Sequence, residues 1–414
     1  MEVLTCPYHG RVDIDALTFS CSCGCFEHTA LNDVIDKLNE NRNSKINYIK
    51  GTSDPKEIIK QIRKCPNNKI VKMYCGICEN GKDISYFLKP DFNFSNKIVT
   101  SFLGDSGSGK SNMIACLYKL ILKFSNKRSE PLYVLPPQIY QDFIKIYINP
   151  LFNPKDGKHY VVPKTQKEAL FYFEVGEKHN IFFYDSPGDD LLDFDSFTAF
   201  QYVRESNCIV LLISPESYIF LKKYSMKKMK SSVMQSKYNP TIIFTNTISQ
   251  FPDKKLKKII IVLTKADNFF RVGYRNPFSV CKKELANASA DVMDMYLENP
   301  HTSNVDYNWI DRYSDKCEKF LSLVDEELNN LIIKSKEKSE KTLFFFVSSF
   351  GDVDVKQDKN GDSDVKQEIN GDSDVKIDKN GDSDVKQGKN GNQYLEREPQ
   401  PTQLDNIFYS IIKN

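Results

Sequence analysis

Short apolar runs separated by longer amphipathic stretches dominate the chain from about residue 97 onward. The runs are KIVTSFL (97–103), ALFYFEV (169–175), NIFFYD (180–185), CIVLLIS (208–214), KIIIVLTK (258–265) and TLFFFVSS (342–349). They are nearly continuous in apolar residues, which predicts strands of a sheet covered on both faces. With helical periodicity between several of them, the pattern predicts an α/β domain built on a doubly wound sheet and spanning 91–350. The connections 126–164, 214–257 and 268–340 are too long for plain loops and should carry structure of their own. In the third, CKKELANASADVMDMYLENP and SDKCEKFLSLVDEELNNLIIKSKEKSEK space apolar residues as helices do, predicting an inserted helical lobe.

The pattern changes at 352–391, where DVDVKQDKNG, DSDVKQEING, DSDVKIDKNG and DSDVKQGKNG repeat with a period of ten. Such units offer little apolar surface to offset ordering entropy, so 351–400 is expected to be a disordered insertion. Their oxygen-rich order lacks the glycine placement and the bidentate Glu of an EF-hand. Helical spacing then returns with Leu404, Ile407, Phe408, Ile411 and Ile412, so 401–414 is expected to be the last helix of the same domain.

Composition narrows the partners. The 414 residues allow two or three domains, and 57 basic against 55 acidic residues leave a net charge of +2. That balance is too even for a whole-chain coat on nucleic acid or an anionic membrane, so neither is an expected partner. The lysine runs at 222–230 and 254–258 are read as solvated faces. There is no signal-peptide pattern, and no window approaches the roughly 18 apolar residues that span a bilayer. The expected location is the cytoplasm.

Seven of the 11 cysteines fall in the first 78 residues, marking a separate module over 1–90. In a reducing compartment, paired thiolates point to zinc in a small ribbon-like fold. Cys6 and His9 have C-x-x-H spacing, Cys75 and Cys78 are a C-x-x-C, and Cys21, Cys23 and Cys65 complete the candidate ligands. Cys21, Cys23 and Cys25 do not all fit one ribbon, and Cys25 is left out of the set. Cys116, Cys208, Cys281 and Cys317 are scattered singly and read as ordinary core or surface thiols.

The strongest chemical signal is Gly104, Asp105, Ser106, Gly107, Ser108, Gly109, Lys110 and Ser111, which matches G-x-x-x-x-G-K-[ST] between a strand and a helix opening at Asn112. Glycines let backbone amides turn inward around phosphates, the helix N-terminus adds positive potential, and Lys110 reaches the β- and γ-phosphates. Ser111 is expected on Mg²⁺. Strand 180–185 ends in Asp185 and continues to Gly188, placing a carboxylate near Mg²⁺ and a backbone N–H near the γ-phosphate. Strand 258–265 ends in Thr264 and Lys265, with Asp267 two residues on. A carboxylate in the plane of guanine accepts from N1–H and the exocyclic amine, and adenine has no matching donor pair. Lys265 would lie over the ring, and a backbone amide at Ser348 or Ser349 could meet the base carbonyl.

The order GDSGSGKS, DSPG, TKAD, VSSF resembles that of Ras-like P-loop GTPases, implying GTP and GDP as ligands and hydrolysis to GDP and phosphate. The resemblance places Thr165, 20 residues before Asp185, on Mg²⁺, at the end of an enlarged first switch. More narrowly, FFYDSPGDDL and the cysteine-rich lead-in look like the bacterial double-GTPase family of predicted conflict systems. This implies a GTP-binding switch with slow turnover and a protein partner, a second GTPase or an effector. Asp189 stands where a water-positioning Gln would be expected, and the catalytic pair is read as Gly188 and Asp189. A P-loop ATPase or phosphotransferase and a nucleotide-binding scaffold without turnover are the rival readings.

Overall fold

In LTFSC and VKMYC apolar residues alternate with polar ones, the period of a strand with one buried face. A computed structural model describes residues 5–6, 10–11, 14–25, 27–40, 62, 67, 69, 71–76, 82–83, 97–105, 107–135, 137–155, 157–162, 169–175, 179–185, 203, 206–224, 240–249, 256–271, 273–298, 305–350, 355–357, 393–395, 398–399 and 401–413. Near the N-terminus β1 (Thr5–Cys6) and β2 (Gly10–Arg11) pair as a hairpin. The two alternating pentapeptides are β3 (Leu17–Cys21) and β5 (Val71–Cys75), which with β4 (Thr29–Ala30) and β6 (Lys82–Asp83) form an antiparallel sheet in the order β4-β3-β5-β6. Leu17, Phe19, Val71 and Met73 are buried, as are Leu31 and Val34 of α1 (Leu31–Glu40), which packs on β3. Burying each such side chain is worth roughly 2 kcal/mol.

The long apolar runs form the larger sheet. Its strands are β7 (Lys97–Leu103), β8 (Leu132–Leu135), β10 (Ala169–Val175), β11 (His179–Asp185), β12 (Cys208–Ile213), β13 (Leu256–Leu263) and β14 (Ser339–Phe346), in the order β14-β13-β12-β7-β11-β10-β8. β14, β13, β12, β7 and β11 run parallel, while β10 and β8 are antiparallel to their neighbours. Every residue of β12 is buried, as expected for a central strand sandwiched by helices. The chain leaves β7 toward β11 and β10 and then returns to β12 on its other side. That reversal opens a crevice at the carboxyl ends of β7 and β12, the place where open α/β sheets bind ligands. The edge strand β8 was not legible, because LYVL is only four residues long and lies in a stretch of mixed polarity.

Helices connect the strands. They are α2 (Lys110–Arg128), α3 (Pro137–Phe143) running into a π-helical turn (Ile144–Ile148), α4 (Asn149–Phe152), α5 (Ile219–Tyr224), α6 (Pro240–Ser249), α7 (Lys283–Leu297), α8 (Tyr307–Val324), α9 (Glu326–Lys338) and α10 (Leu404–Ile412). Helix α8 starts where Asp306 Oδ1 accepts from the amides of Asn308 and Trp309, both at 3.0 Å, and it buries Trp309, Tyr313, Cys317, Phe320 and Val324 as one stripe. Asp325 is extended and caps α9 through Leu328 N at 2.8 Å, so a single residue turns the chain between the two helices. Helix α10 lies on α2, with Phe408 edge-on to Phe124 at 5.4 Å.

Two composition-based expectations are corrected. Within 351–400, β15 (Val355–Gln357) and β16 (Gln393–Leu395) are strands that join β9 (His159–Tyr160) in a three-stranded antiparallel sheet, where the ladder satisfies backbone groups that a polar coil would leave to water. The repeats at 358–392 lie outside the described residues. In the 254–258 run, Lys258 is not on a solvated face: its Nζ donates to the carbonyls of Ser410, at 2.8 Å, and Lys413 at the end of α10, and burial lowers its pKa. Among the described residues no helix is long and apolar enough to cross a membrane.

Candidate functional site

The carboxyl end of β7 turns through glycines whose conformations other residues rarely adopt. Gly104, Gly107 and Gly109 have φ of 149°, 86° and 94°. At Gly104 a Cβ would also meet Leu212 O at 2.7 Å, so the loop lies against β12 as closely as a backbone can. Ser108 closes the turn, donating to Asp105 O from its amide at 3.2 Å and from its hydroxyl at 2.8 Å. The amide of Met113 then bonds Gly109 O and α2 begins. Lys110 is buried, its ammonium over the loop on the carbonyls of Gly104 at 2.6 Å and Asp105 at 2.9 Å. The loop therefore combines a helix N-terminus with a desolvated cation, the arrangement that binds phosphate. Ser106 lies outside the described residues.

Asp105 is tied to a turn that the motifs do not mark. Its Oδ2 accepts from Ser217 Oγ at 2.8 Å, and its buried Oδ1 has no hydrogen-bond partner among the described residues. Ser217 ends a 3-10 turn (Pro215–Ser217) after β12, and the adjacent Glu216 pairs with Lys265 Nζ at 2.9 Å. Burial raises the Asp105 carboxyl above its ordinary value of 3.8, against the opposing effects of Ser217, Lys110 and Lys265. A raised acid pKa means the folded state loses stability as pH climbs from 3.8 through the raised value. Asp105→Asn should therefore gain in melting temperature relative to the parent as pH rises through that window and then level off. A difference independent of pH between nucleotide-free parent and variant would contradict this.

The metal-binding candidates meet where α2 passes the end of β11. Ser111 Oγ donates to Asp185 Oδ2 at 2.8 Å, although 74 residues separate them, and the Asp185 side chain is fully buried. Two hard oxygen donors at this separation, beside a candidate phosphate loop, fit Mg²⁺, which typically takes one or two protein oxygens and completes its shell with phosphates and water. Tyr147 also donates to Asp185 Oδ2, at 3.0 Å. The side-chain Oδ1 of Asn112 accepts from Val162 N at 3.0 Å, so this side chain is engaged with the insert. Thr165, Gly188 and Asp189 lie outside the described residues.

The base-reading candidates follow β13. Thr264 bonds Ile213 O through its amide at 2.9 Å and its hydroxyl at 3.2 Å, fastening the loop to β12. Lys265 adopts a left-handed φ of 55°, a conformation worth of order 1 kcal/mol of strain outside glycine, in the turn closed by Asn268 N on Lys265 O at 2.9 Å. Asp267 is buried, with Oδ2 3.6 Å from Arg271, whose Nε donates to Asp267 O at 2.8 Å. The Ser348 amide donates to Thr402 O at 3.2 Å. Ser349 O accepts from Cys116 Sγ at 3.4 Å, and burial pushes that thiol up to about 12, which suits an inert core cysteine.

The described cysteines of the N-terminal module separate into two ends. The Sγ atoms of Cys21, Cys23 and Cys25 lie within 4.8 Å of one another, with neighbours at 3.0 and 3.1 Å. Thiolates around tetrahedral zinc sit about 3.8 Å apart, so the three fit one ion with modest opening. Cys25 therefore joins the candidate ligands, correcting its exclusion: the turn at Gly24, with φ of 76°, folds the three thiols together. Asn67 Nδ2 donates to Cys25 Sγ at 3.2 Å. Cys75 stands apart because the antiparallel register pairs it with Leu17 while Cys21 pairs with Val71, about 13 Å away along the strand. The side chains of Cys6, His9, Cys65 and Cys78 lie outside the described residues.

Sequence reasoning missed Glu216, Ser217, Arg271 and Tyr147. Ser217 had a usable signal, since it follows an apolar strand that must lie beside the phosphate-loop strand; Tyr147 sits in an insert with no motif at all. A cavity of about 530 Å³ bordered by Cys116, Phe270, Tyr296 and Gln403 is lined by none of Lys110, Ser111, Asp185 or Asp267, so the nucleotide candidates do not depend on it.

No protein-family model matches the chain, and no curated protein matches it. Among solved structures it is similar to the bacterial selenocysteine-specific elongation factor EF-Sec, at 11% identity over 61% of this chain and 25% of that one, with a TM-score of 0.25. It is also similar to the S. cerevisiae Ski7 GTPase-like domain bound to GDP and inorganic phosphate, at 12% identity over 60% of this chain and 43% of that one, TM-score 0.21. The same domain bound to GTP gives 14% identity over 64% and 45%, TM-score 0.21. The chain thus spans less than half the length of each, and at these TM-scores the likeness assigns neither fold nor activity.

Proposed function

We propose that this protein is a GTP-binding switch that uses Mg²⁺ and hydrolyses GTP slowly to GDP and phosphate. The observation that carries the reading is the convergence of Lys110, Ser111 and Asp185 on one loop mouth, with Ser111 Oγ 2.8 Å from Asp185 Oδ2 at the crevice of a reversing α/β sheet. Bound Mg²⁺ would supply charge neutralisation across the β- and γ-phosphates, held by Ser111 and Asp185. Lys110 would exchange its loop carbonyls for phosphate oxygens, keeping the cation desolvated and already in place. Asp267 would read guanine, Thr165 and Gly188 would sense the γ-phosphate, and Asp189 would orient the hydrolytic water. Phosphate release under saturating GTP and Mg²⁺ tests turnover: slow release is expected, and none would leave a nucleotide-binding scaffold.

The resemblance to the double-GTPase family extends this proposal to a role in a bacterial conflict system and to a protein partner, a second GTPase or an effector. In the N-terminal module we propose that Cys21, Cys23 and Cys25 hold zinc. Elemental analysis of the purified chain should find zinc, and Cys23→Ser should lower the zinc content. Unchanged content would place the metal elsewhere.

A further inference from the structure

The insert between α2 and β10 reaches the metal-binding pair directly. Its π-helical turn carries Tyr147, buried and clamped with its ring stacked on Phe143 at 5.3 Å and edge-on to Phe171 at 4.9 Å. Phe143 in turn is edge-on to Tyr118 of α2 at 5.2 Å and lies 4.6 Å from Phe171 of β10. The phenol is therefore aimed by rigid neighbours on three elements, and it donates to the Asp185 oxygen that also accepts from Ser111. A π-turn carries an extra residue per turn and often marks a functional position. The far end of the insert is tied beside the same pair, by Val162 N on the side-chain Oδ1 of Asn112, the residue that follows Ser111. Between the two ties, His159 Nδ1 lies 2.7 Å from Leu151 O and closes the insert on itself.

We propose that Tyr147 is a positioning residue for the Mg²⁺ carboxylate, through which the insert 137–162 sets how tightly metal, and with it nucleotide, is held. This rests on the Mg²⁺-nucleotide reading of the site. A carboxylate rotates about its Cβ–Cγ bond, and two hydroxyl donors on one oxygen fix that rotation relative to Ser111. Outer hydrogen bonds of this kind usually govern ligand orientation and metal affinity. No sequence motif marks the residue, because its effect comes from packing.

Tyr147→Phe keeps the ring in its aromatic contacts and removes the one hydroxyl. Release of a fluorescent GDP, chased with excess GTP, is followed across a Mg²⁺ titration and in EDTA. The Mg²⁺ concentration that half-maximally slows release should rise roughly tenfold in the variant. The EDTA rate should stay at the parent value, which a merely structural role would not allow. Equal Mg²⁺ dependence in parent and variant would overturn the assignment alone, and a tighter Mg²⁺ response in the variant would overturn it by making the phenol a competitor of the metal. A parent with no Mg²⁺ dependence would overturn the nucleotide-site reading, and this assignment with it.

Discussion

Lys110→Ala should abolish triphosphate binding while leaving the melting temperature close to that of the parent. The ammonium is buried at the start of α2 and bonded to the carbonyls of Gly104 and Asp105, so it is desolvated before any phosphate arrives. Charge-assisted hydrogen bonds to phosphate are worth roughly 1.5–3 kcal/mol each, and losing two lowers affinity by at least about a hundredfold. The fold should survive because Ser108 closes the loop independently of the lysine, through two bonds to Asp105 O. Calorimetric titration with GTP beside thermal melting separates the two outcomes. Undiminished affinity in a folded variant would remove the phosphate loop from the account.

Asp267→Asn should reverse base preference from GTP to XTP. The carboxylate accepts two guanine donors in the proposed complex, and Asn replaces one acceptor with a donor that opposes the exocyclic amine. Xanthine carries a carbonyl there, so the amide pairs with it while its own carbonyl still accepts the ring N–H. An unpaired buried polar group costs about 2 kcal/mol, or roughly 30-fold in GTP affinity. The loop itself should keep its shape, because Arg271 Nε bonds the backbone carbonyl of Asp267 and the turn closes on Lys265 O. Competition between XTP and GTP on the variant checks the preference, and equal GTP affinity in parent and variant would show that Asp267 does not read the base.

How much was legible in the sequence follows from where the physics is local. β12, and β13 from Ile259 on, announce themselves because a strand segment buried on both faces must be apolar, and the glycine-rich loop because positive φ at Gly104, Gly107 and Gly109 leaves little choice of residue. The contacts that were not legible join distant segments through side chains of ordinary type. Tyr147 meets Asp185 across 38 residues, Ser217 meets Asp105 across 112, and Lys258 meets Ser410 across 152. Nothing in the neighbouring residues distinguishes Tyr147 or Lys258 from any tyrosine or lysine, and for Ser217 only its place after an apolar strand does. The zinc candidates illustrate the same limit: spacing left the grouping of the cysteines open, and the antiparallel register of β3 and β5 sets Cys21 and Cys75 at opposite ends of the pairing.

Guanine recognition at this site is tested most directly by competition binding on the parent chain. With a fluorescent GDP bound in the presence of Mg²⁺, GTP should displace the probe and ATP should fail to do so at a hundredfold higher concentration, roughly the selectivity a buried carboxylate reading two donors supplies. Displacement by ATP at the same concentration as GTP, or no binding of the guanine probe at all, would contradict it.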